Sequence, residues 1–512
     1  QVFAGDPEHY KVSLQRAQSV TAKQLQAAAG EWLGDGDYNL EVHPFPSFTT
    51  AKSEVDRSKL PDTGTPPDAR FPQLETAMLD NGLKLILAER HGIPAVTLYL
   101  TLDAGFASDA TTKPGTAKLA MNMLDEGTEK RTSLEISEQL GLLGASLFTG
   151  SDLDTSTVGM TALKAHLDAS LEIFGDVILN PSFPESDFQR LKKQQLDAIE
   201  AEKVDPHQMA LRVLPQLLYG KGNAYALPLT GSGTGQSVES LTRNDVKKFH
   251  ETWFYPDHAT LVVVGDTTLA EIKPKIERLL SGWKPGQIPT KNIKPVELAA
   301  KPSVYLLDRP GSLQSLIAAA EVTVPKANPM EVAIQAMNNI LGGQFTSRIN
   351  MNLREDKHWS YGAHSRIYGA RGQRPFVTSA PVQTDKTKES MVEMAKELRG
   401  ILTDMPITEA ELSKVKKQET LELAGKWETS RSVATSIAEL VRYGLPLGYY
   451  NTLTERIRAM DLAKVTEAAR SVVHPEGLVW VIVGDREKIE PGIRELGLGE
   501  IQVIDADGIP VK

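Results

Sequence analysis

Apolar positions in this chain follow two periods. Residues 83–88 and 96–102 alternate apolar and polar side chains, which predicts strands. Asp80-Asn81-Gly82 precedes them, and Asn-Gly is the strong signal for a two-residue hairpin turn after Ala77-Met78-Leu79. Helical periodicity then takes over at 116–124, 133–143, 165–179 and 184–203, with Ser133 as N-cap and Ile136 and Leu140 on one face. A strand at 155–161, a helix at 242–254 and a strand at 259–264 follow. The scheme then repeats: strands at 304–308, 315–320, 361–368 and 375–382, and long helices starting at Pro329, Thr387, Thr408 and Ser430. Strands gathered with several long helices, without strict βαβ alternation, predict an α+β fold.

The end of this scheme occurs three times. Thr21 to Pro44, Thr242 to Gly265 and Asp461 to Gly484 each read as a capped amphipathic helix, a short turn and a strand. Their ends recur at spacings of 221 and 219 residues (44 to 265, 265 to 484). So long a period means duplicated domains, since solenoid repeats run at roughly 20–50 residues. The expected organisation is a tail of a preceding module at 1–44, a linker at 45–72 and a first module at 73–282. A second linker at 283–302, a second module at 303–497 and a C-terminal tail at 498–512 follow. Both linkers are marked by proline-rich, aperiodic sequence. The first tail has no head, so the chain reads as the C-terminal part of something larger. It opens at Gln1 with no signal-peptide pattern, as expected if a leader was removed or if the sequence starts mid-protein.

Composition narrows the function. Of 512 residues 41% are hydrophobic, enough for a core in each module, and no run approaches the ~20 apolar residues of a membrane span. There is no cysteine, which excludes disulfides, thiolate metal sites and cysteine nucleophiles and is compatible with an oxidising periplasm. A net charge of −10 argues against a nucleic-acid partner.

Two segments bear on chemistry. One is Gly115-Thr116-Ala117-Lys118-Leu119-Ala120-Met121-Asn122-Met123-Leu124; the other runs from Gly342-Gly343-Gln344 through Ser347-Arg348 and Leu353-Arg354-Glu355 to Tyr361-Gly362. With the repeated tails and Leu218-Tyr219-Gly220, they resemble the insulinase-like (pitrilysin-type, M16) zinc metallopeptidases, over nearly the whole chain except its last fifteen or so residues. The resemblance implies two homologous modules, each an antiparallel-rich sheet packed with helices. It also implies an inverted His-x-x-Glu-His motif in the first segment, in which two His bind zinc and the Glu is general base. Lys118 and Asn122 stand where the His residues belong, and Met121 where the Glu belongs. A protonated lysine repels Zn²⁺, asparagine is a poor zinc ligand, and methionine cannot take a proton. The third ligand of the family falls at Glu200 or Glu202, read here as a solvated helix face. The chain is therefore expected to bind no metal or cofactor, with zinc held by an upstream catalytic half.

The second segment keeps the residues that, by resemblance, reach from the C-terminal half of such enzymes to the substrate: Arg354 and Tyr361. A phenol O–H can serve a developing oxyanion, and a guanidinium can grip a peptide carbonyl or carboxylate. The bland alternative pairs Arg354 with Glu355 or Asp356 and puts Tyr361 in the core; the surrounding string favours the functional reading. Other signals read as structural. Gly231-Ser232-Gly233-Thr234-Gly235 lacks the Gly-Lys-Ser/Thr of a phosphate loop and reads as a flexible surface turn. His250 and His258 are structural histidines, His358 and His364 stay outside the site, Asp152 and Asp154 are loop carboxylates, and Trp359 either walls a cleft or packs.

The resulting expectation is a non-catalytic half of a zinc endopeptidase, inactive alone. It would close a chamber over unfolded peptides, which bind extended against a sheet edge of the zinc-bearing half, in the periplasm or cell envelope. The rival is a structural or peptide-binding core subunit without a protease role, for which Arg354 and Tyr361 would be superfluous. A self-sufficient protease would need a metal site that the sequence does not show.

Overall fold

The computed structural model describes residues 5, 6, 8–34, 36, 39–41, 64 and 68–511. They fall into two units, Gln1–Gly64 and Thr65–Lys512. The first unit contains helices His9–Ser19 and Ala22–Leu33, in which no described residue is buried. Thr21 and Gln24 form a capping box at the second helix. Of the tail read from the sequence, this helix is present. Residues 39–41 form no strand, and Val42 to Pro44 lie outside the described residues.

The second unit is built on two six-stranded sheets with helices packed on them. In the first sheet the strands are β1 (Glu75–Met78), β2 (Lys84–Glu89), β3 (Ala95–Leu102), β4 (Ser146–Ser151), β5 (Ser156–Leu163) and β6 (Ala259–Gly265). The second sheet has β7 (Ser303–Asp308), β8 (Gln314–Thr323), β9 (His364–Ile367), β10 (Arg374–Gln383), β11 (Val479–Gly484) and β12 (Ile501–Val503). The strand orders are β1-β2-β6-β3-β5-β4 and β12-β7-β11-β8-β10-β9. Five strands correspond one to one, including the single internal parallel pairing, β2 with β6 and β7 with β11. Only the first edge differs. In the first sheet it is the hairpin strand β1, antiparallel to β2. In the second it is β12, parallel to β7 and drawn from the segment read as a C-terminal tail.

The β1–β2 hairpin has a three-residue connection rather than two. Gly82 N–H donates to the Leu79 carbonyl, Leu79 N–H to the Leu83 carbonyl, and Gly82 sits at φ 86°. This is a turn followed by a left-handed residue, which only glycine adopts without strain. Thr132, not Ser133, caps helix Ser133–Leu142 by a capping box with Glu135; Ile136 and Leu140 are its buried face. The strand expected at 361–368 shortens to β9, leaving Tyr361 to Ala363 in irregular chain.

Both sheets bury both faces. On β2, Leu85 and Leu87 join the core of the first module, whereas Ile86 and Ala88 join a cluster with Trp427, Ala434 and Ile437. Helix Ser430–Tyr443 of the second module packs on β3 and β6. Reciprocally, helix Pro206–Tyr219 of the first module packs on β8 and β11. Its Met209, Val213 and Leu214 meet Leu316, Val481 and Val483. Each module thus lends a helix to the other's sheet, which explains why Leu261 to Val264 and Val479 to Val483 are apolar at every position. Polar ties reinforce the exchange. Arg90 donates to the carbonyls of Trp427 at 2.6 Å and Glu428 at 2.7 Å. Arg371 pairs with Asp103 at 2.6 Å. The segment 283–302 has no helix or strand, yet its Val296 exchanges two hydrogen bonds with Gln373 of the second module.

Leu214→Ala, which empties part of the lent helix, is expected to destabilise the protein by roughly 3 kcal/mol. Urea unfolding followed by tryptophan fluorescence and circular dichroism checks this; a change under about 0.5 kcal/mol, the usual range for surface substitutions, would contradict the exchange.

Candidate functional site

The segment 339–362 begins with a wide helical turn, Asn339–Gly343. Gly342 is required there, because a Cβ would lie 2.4 Å from the Ser365 backbone nitrogen. A short helix, Arg348–Asn350, and a second wide turn, Met351–Asp356, follow. The back of this segment is fixed. Arg348 makes a bidentate pair with Glu411, 2.7 Å on each arm, and donates to the Pro406 carbonyl at 2.9 Å. Asn350 donates to the Phe345 carbonyl and accepts from Ala363 N–H, tying both ends of the segment together. Asn352 donates to Glu393 and Glu397. Burial would raise the Glu411 carboxyl, but Arg348 and the Thr408 cap outweigh it and hold it to about 2.

The front of the segment is open. Arg354 and Tyr361 line one cleft of about 290 Å³ with Trp359, His358 and Gln383. Tyr361 is 86% exposed and therefore not a core residue. The Arg354 guanidinium stacks 4.5 Å over the exposed Phe345 ring. It also forms a 3.0 Å ion pair with Glu355, the contact of the bland reading, although among the described residues Nη1 lacks an aligned hydrogen-bond acceptor. Trp359 both walls the cleft and packs on the core. His358, set aside in the sequence, belongs to the cleft: it holds φ 58° and its Nδ1 lies 3.1 Å from the Arg354 carbonyl. A positive φ at a non-glycine residue is not visible in sequence. His364 does lie apart from the cleft, 3.1 Å from Ser379 Oγ.

The first motif occupies helix Thr116–Met123. Lys118 Nζ donates to the Thr230 carbonyl at 3.3 Å, Met121 is fully buried in the core, and Asn122 faces outward. Glu200 is exposed and pairs with Lys203 at 3.2 Å. Glu202 corrects the reading of a solvated face. It is half-buried and accepts from Arg212 at 2.7 Å and Ser232 Oγ at 2.7 Å. Arg212 in turn pairs with Asp507 at 2.8 Å. An ammonium, a thioether, an outward amide and a carboxylate already committed to a guanidinium do not fit a zinc ion. Among the described residues no group of three or more His, Asp or Glu gathers in a way that could hold a metal.

Two further readings change, and one residue is new. The glycine turn 231–235 is not a flexible surface loop: residues 231–233 are buried, and a Cβ on Gly233 would lie 2.3 Å from the Pro114 carbonyl oxygen. Asp154 is not a loop carboxylate at the surface, because it is buried and accepts from Tyr225 O–H at 2.6 Å and Arg371 N–H at 2.9 Å. Asp109, unmarked in the sequence, is wholly buried and accepts the N–H groups of Gly115 and Ala117 at 2.8 and 2.9 Å, capping the motif helix. Burial pushes its carboxyl up to about 8 against the pull of those donors. His250 and His258 bond to the carbonyls of Ile178 and Gly286, as structural histidines do.

Comparison with known proteins bears on the family and the fold. The family model described as insulinase (peptidase family M16) matches residues 84–231, and the one described as peptidase M16 inactive domain matches residues 240–419. A Helicobacter pylori protein, "Non-peptidase homolog YmxG", is 21% identical over 407 residues, 79% of this chain and 92% of that protein. The crystal structure of a peptidase M16 inactive domain from Pseudomonas fluorescens superposes with a TM-score of 0.75 at 24% identity, over 80% of this chain and 98% of that one. The periplasmic protease PqqL from Escherichia coli gives 0.69 at 15% identity, over 92% of this chain but 51% of its own.

Two outcomes are expected. Elemental analysis of the purified chain should show no stoichiometric zinc; about one tightly held zinc per chain would contradict the donor assignment. Because the folded Glu411 carboxyl lies at about 2 against an ordinary 4.5, its contribution to stability is complete above pH 4.5 and is lost as pH falls toward 2. Arg348→Met should therefore flatten the dependence of unfolding free energy on pH across that window. An unchanged slope would count against the pair.

Proposed function

The chain belongs to peptidase family M16, and from that premise we propose that it acts as the zinc-free half of a peptidase pair. It closes a peptide chamber against a zinc-bearing half, whether that half is joined to it or a separate subunit. The observation that carries this reading is the contrast between the two motif segments. The positions of the metal motif are filled by side chains that reject zinc, while Arg354 and Tyr361 remain outward-facing in one cleft. Burying a phenol and a stacked guanidinium would suit a scaffold better than exposing them. PqqL, of which this chain spans 51%, supports a two-halves arrangement.

In this role Arg354 grips a carbonyl or terminal carboxylate of an unfolded peptide, its planar fork held in place by the Phe345 ring. Tyr361 donates its O–H to the carbonyl oxygen under attack, where negative charge develops only in the transition state. Its exposure leaves that hydroxyl free for a group brought by another half. The described chain has no helix long and apolar enough to cross a membrane, and its likeness to PqqL, a periplasmic protease, favours a periplasmic or cell-envelope setting. A second reading, a structural or peptide-binding subunit without proteolysis, is favoured by the description of the H. pylori relative as a non-peptidase homolog.

With the zinc-bearing half supplied, Tyr361→Phe is expected to lower kcat about a hundredfold with little change in KM. Arg354→Ala is expected to lower kcat and raise KM together. Steady-state kinetics on one fluorogenic peptide separates the two. Wild-type kinetics in both folded variants would reduce this half to a lid or scaffold.

A further inference from the structure

Away from the cleft and the degenerate motif, the second module contains a cavity of about 200 Å³ between helices Glu331–Asn338, Glu409–Lys426, Ser430–Tyr443 and Leu453–Arg458. Leu423, Leu453 and Ile457 give it an apolar floor. Four carboxylates line it. Glu422 sits at the exposed rim and accepts from the Gln418 amide at 2.8 Å, and two of the other three are already compensated. Glu331 is paired with Arg374 and with Lys326, the latter at 3.1 Å. Glu439 accepts the Tyr450 O–H at 2.7 Å and lies 3.3 Å from Lys326.

Glu419 is different. Its Oε1 accepts one hydrogen bond, from the Asn339 amide at 2.8 Å, and among the described residues no cation pairs with it. Lys426, farther along the same helix, carries its ammonium over the Tyr450 ring at 5.6 Å. Burial, and secondarily the nearby Glu422 carboxylate, push the Glu419 carboxyl up to about 7 against the pull of Asn339 and Lys426. A carboxylate in such surroundings is costly unless a cation meets it, and the cavity offers room for one beside apolar walls.

We propose that this cavity is a binding site for an alkylammonium group, with the ammonium against Glu419 and its hydrocarbon stem along Leu423, Leu453 and Ile457. Neither Glu331 nor Glu439 has charge to spare, which leaves Glu419, with Glu422 beside it at the rim, as the anionic end of the site. A cavity of about 200 Å³ leaves room for an amine on a short chain. Such a group arrives either as a free amine or as a lysine side chain of a peptide.

The test titrates the whole chain with n-pentylamine by isothermal calorimetry, with n-pentanol as the uncharged counterpart. Saturable one-to-one binding of the amine is expected, at least tenfold tighter than that of the alcohol. Glu419→Gln, which keeps an acceptor for Asn339, should weaken the amine at least tenfold and leave the alcohol unchanged. Nα-acetyl-lysine N-methylamide distinguishes the sources: binding it as well as pentylamine supports a peptide lysine, and pentylamine alone supports a free amine. Equal affinity for amine and alcohol, no saturable amine binding, or amine binding unaltered in Glu419→Gln would each overturn the proposal. The comparison of amine with alcohol uses the wild-type protein, so it holds even if the variant fails to fold.

Discussion

The exchange of helices between modules is the constraint from which the rest follows. A sheet whose strands are apolar on both sides needs two covers, and each module provides only one for itself. Helix Pro206–Tyr219 seals β8 and β11 of its neighbour, and helix Ser430–Tyr443 seals β3 and β6 in return. Separating the modules would bare Val481, Val483, Ile86 and Val262 to water at once. At roughly 25 cal/mol per Å² of apolar surface, such exposure is far costlier than the ion pairs that also cross the boundary. The modules are held in one relative placement by hydrophobic burial, and Arg90, Arg371 and Asp154 fix the register of that placement.

A fixed placement makes a fixed cleft. Arg348, Asn350 and Asn352 anchor the rear of the segment 339–362 to the body of the second module. Only the front, with Arg354, His358, Trp359 and Tyr361, is left to face outward. The same logic, applied to the first module, yields the opposite result. Its motif helix is as firmly held, by Asp109 at its start and Met121 in its core, but the carboxylate nearest in sequence to a ligand position is already engaged. Glu202 belongs to Arg212, and Arg212 to Asp507, so that carboxylate is not left open for a metal.

Much of this was legible in the sequence where periodicity is strong. The helices after Ser133 and Thr408 and the strands at β3, β8 and β10 follow from pattern and residue type, whereas the two motif segments stand out by their resemblance to a family. Strand β4, Ser-Leu-Phe-Thr-Gly-Ser, was not legible, because an edge strand of small polar residues has almost no apolar signal. The burial of Glu202 and Asp154 was hidden for another reason. Their partners Arg212 and Tyr225 are 10 and 71 residues away, and no local pattern encodes such a pairing. The lent helices were invisible as such: an amphipathic face shows that something is covered, not whose sheet it covers.

β12 completes the edge of the second sheet, Ile504 and Ala506 finish the cluster under helix Pro206–Tyr219, and Asp507 neutralises Arg212. These contacts join residues nearly 300 positions apart. A chain without residues 501–507 would therefore leave the outer edge of β7 unpaired, Arg212 without its Asp507 partner and the borrowed cover without its last apolar contacts.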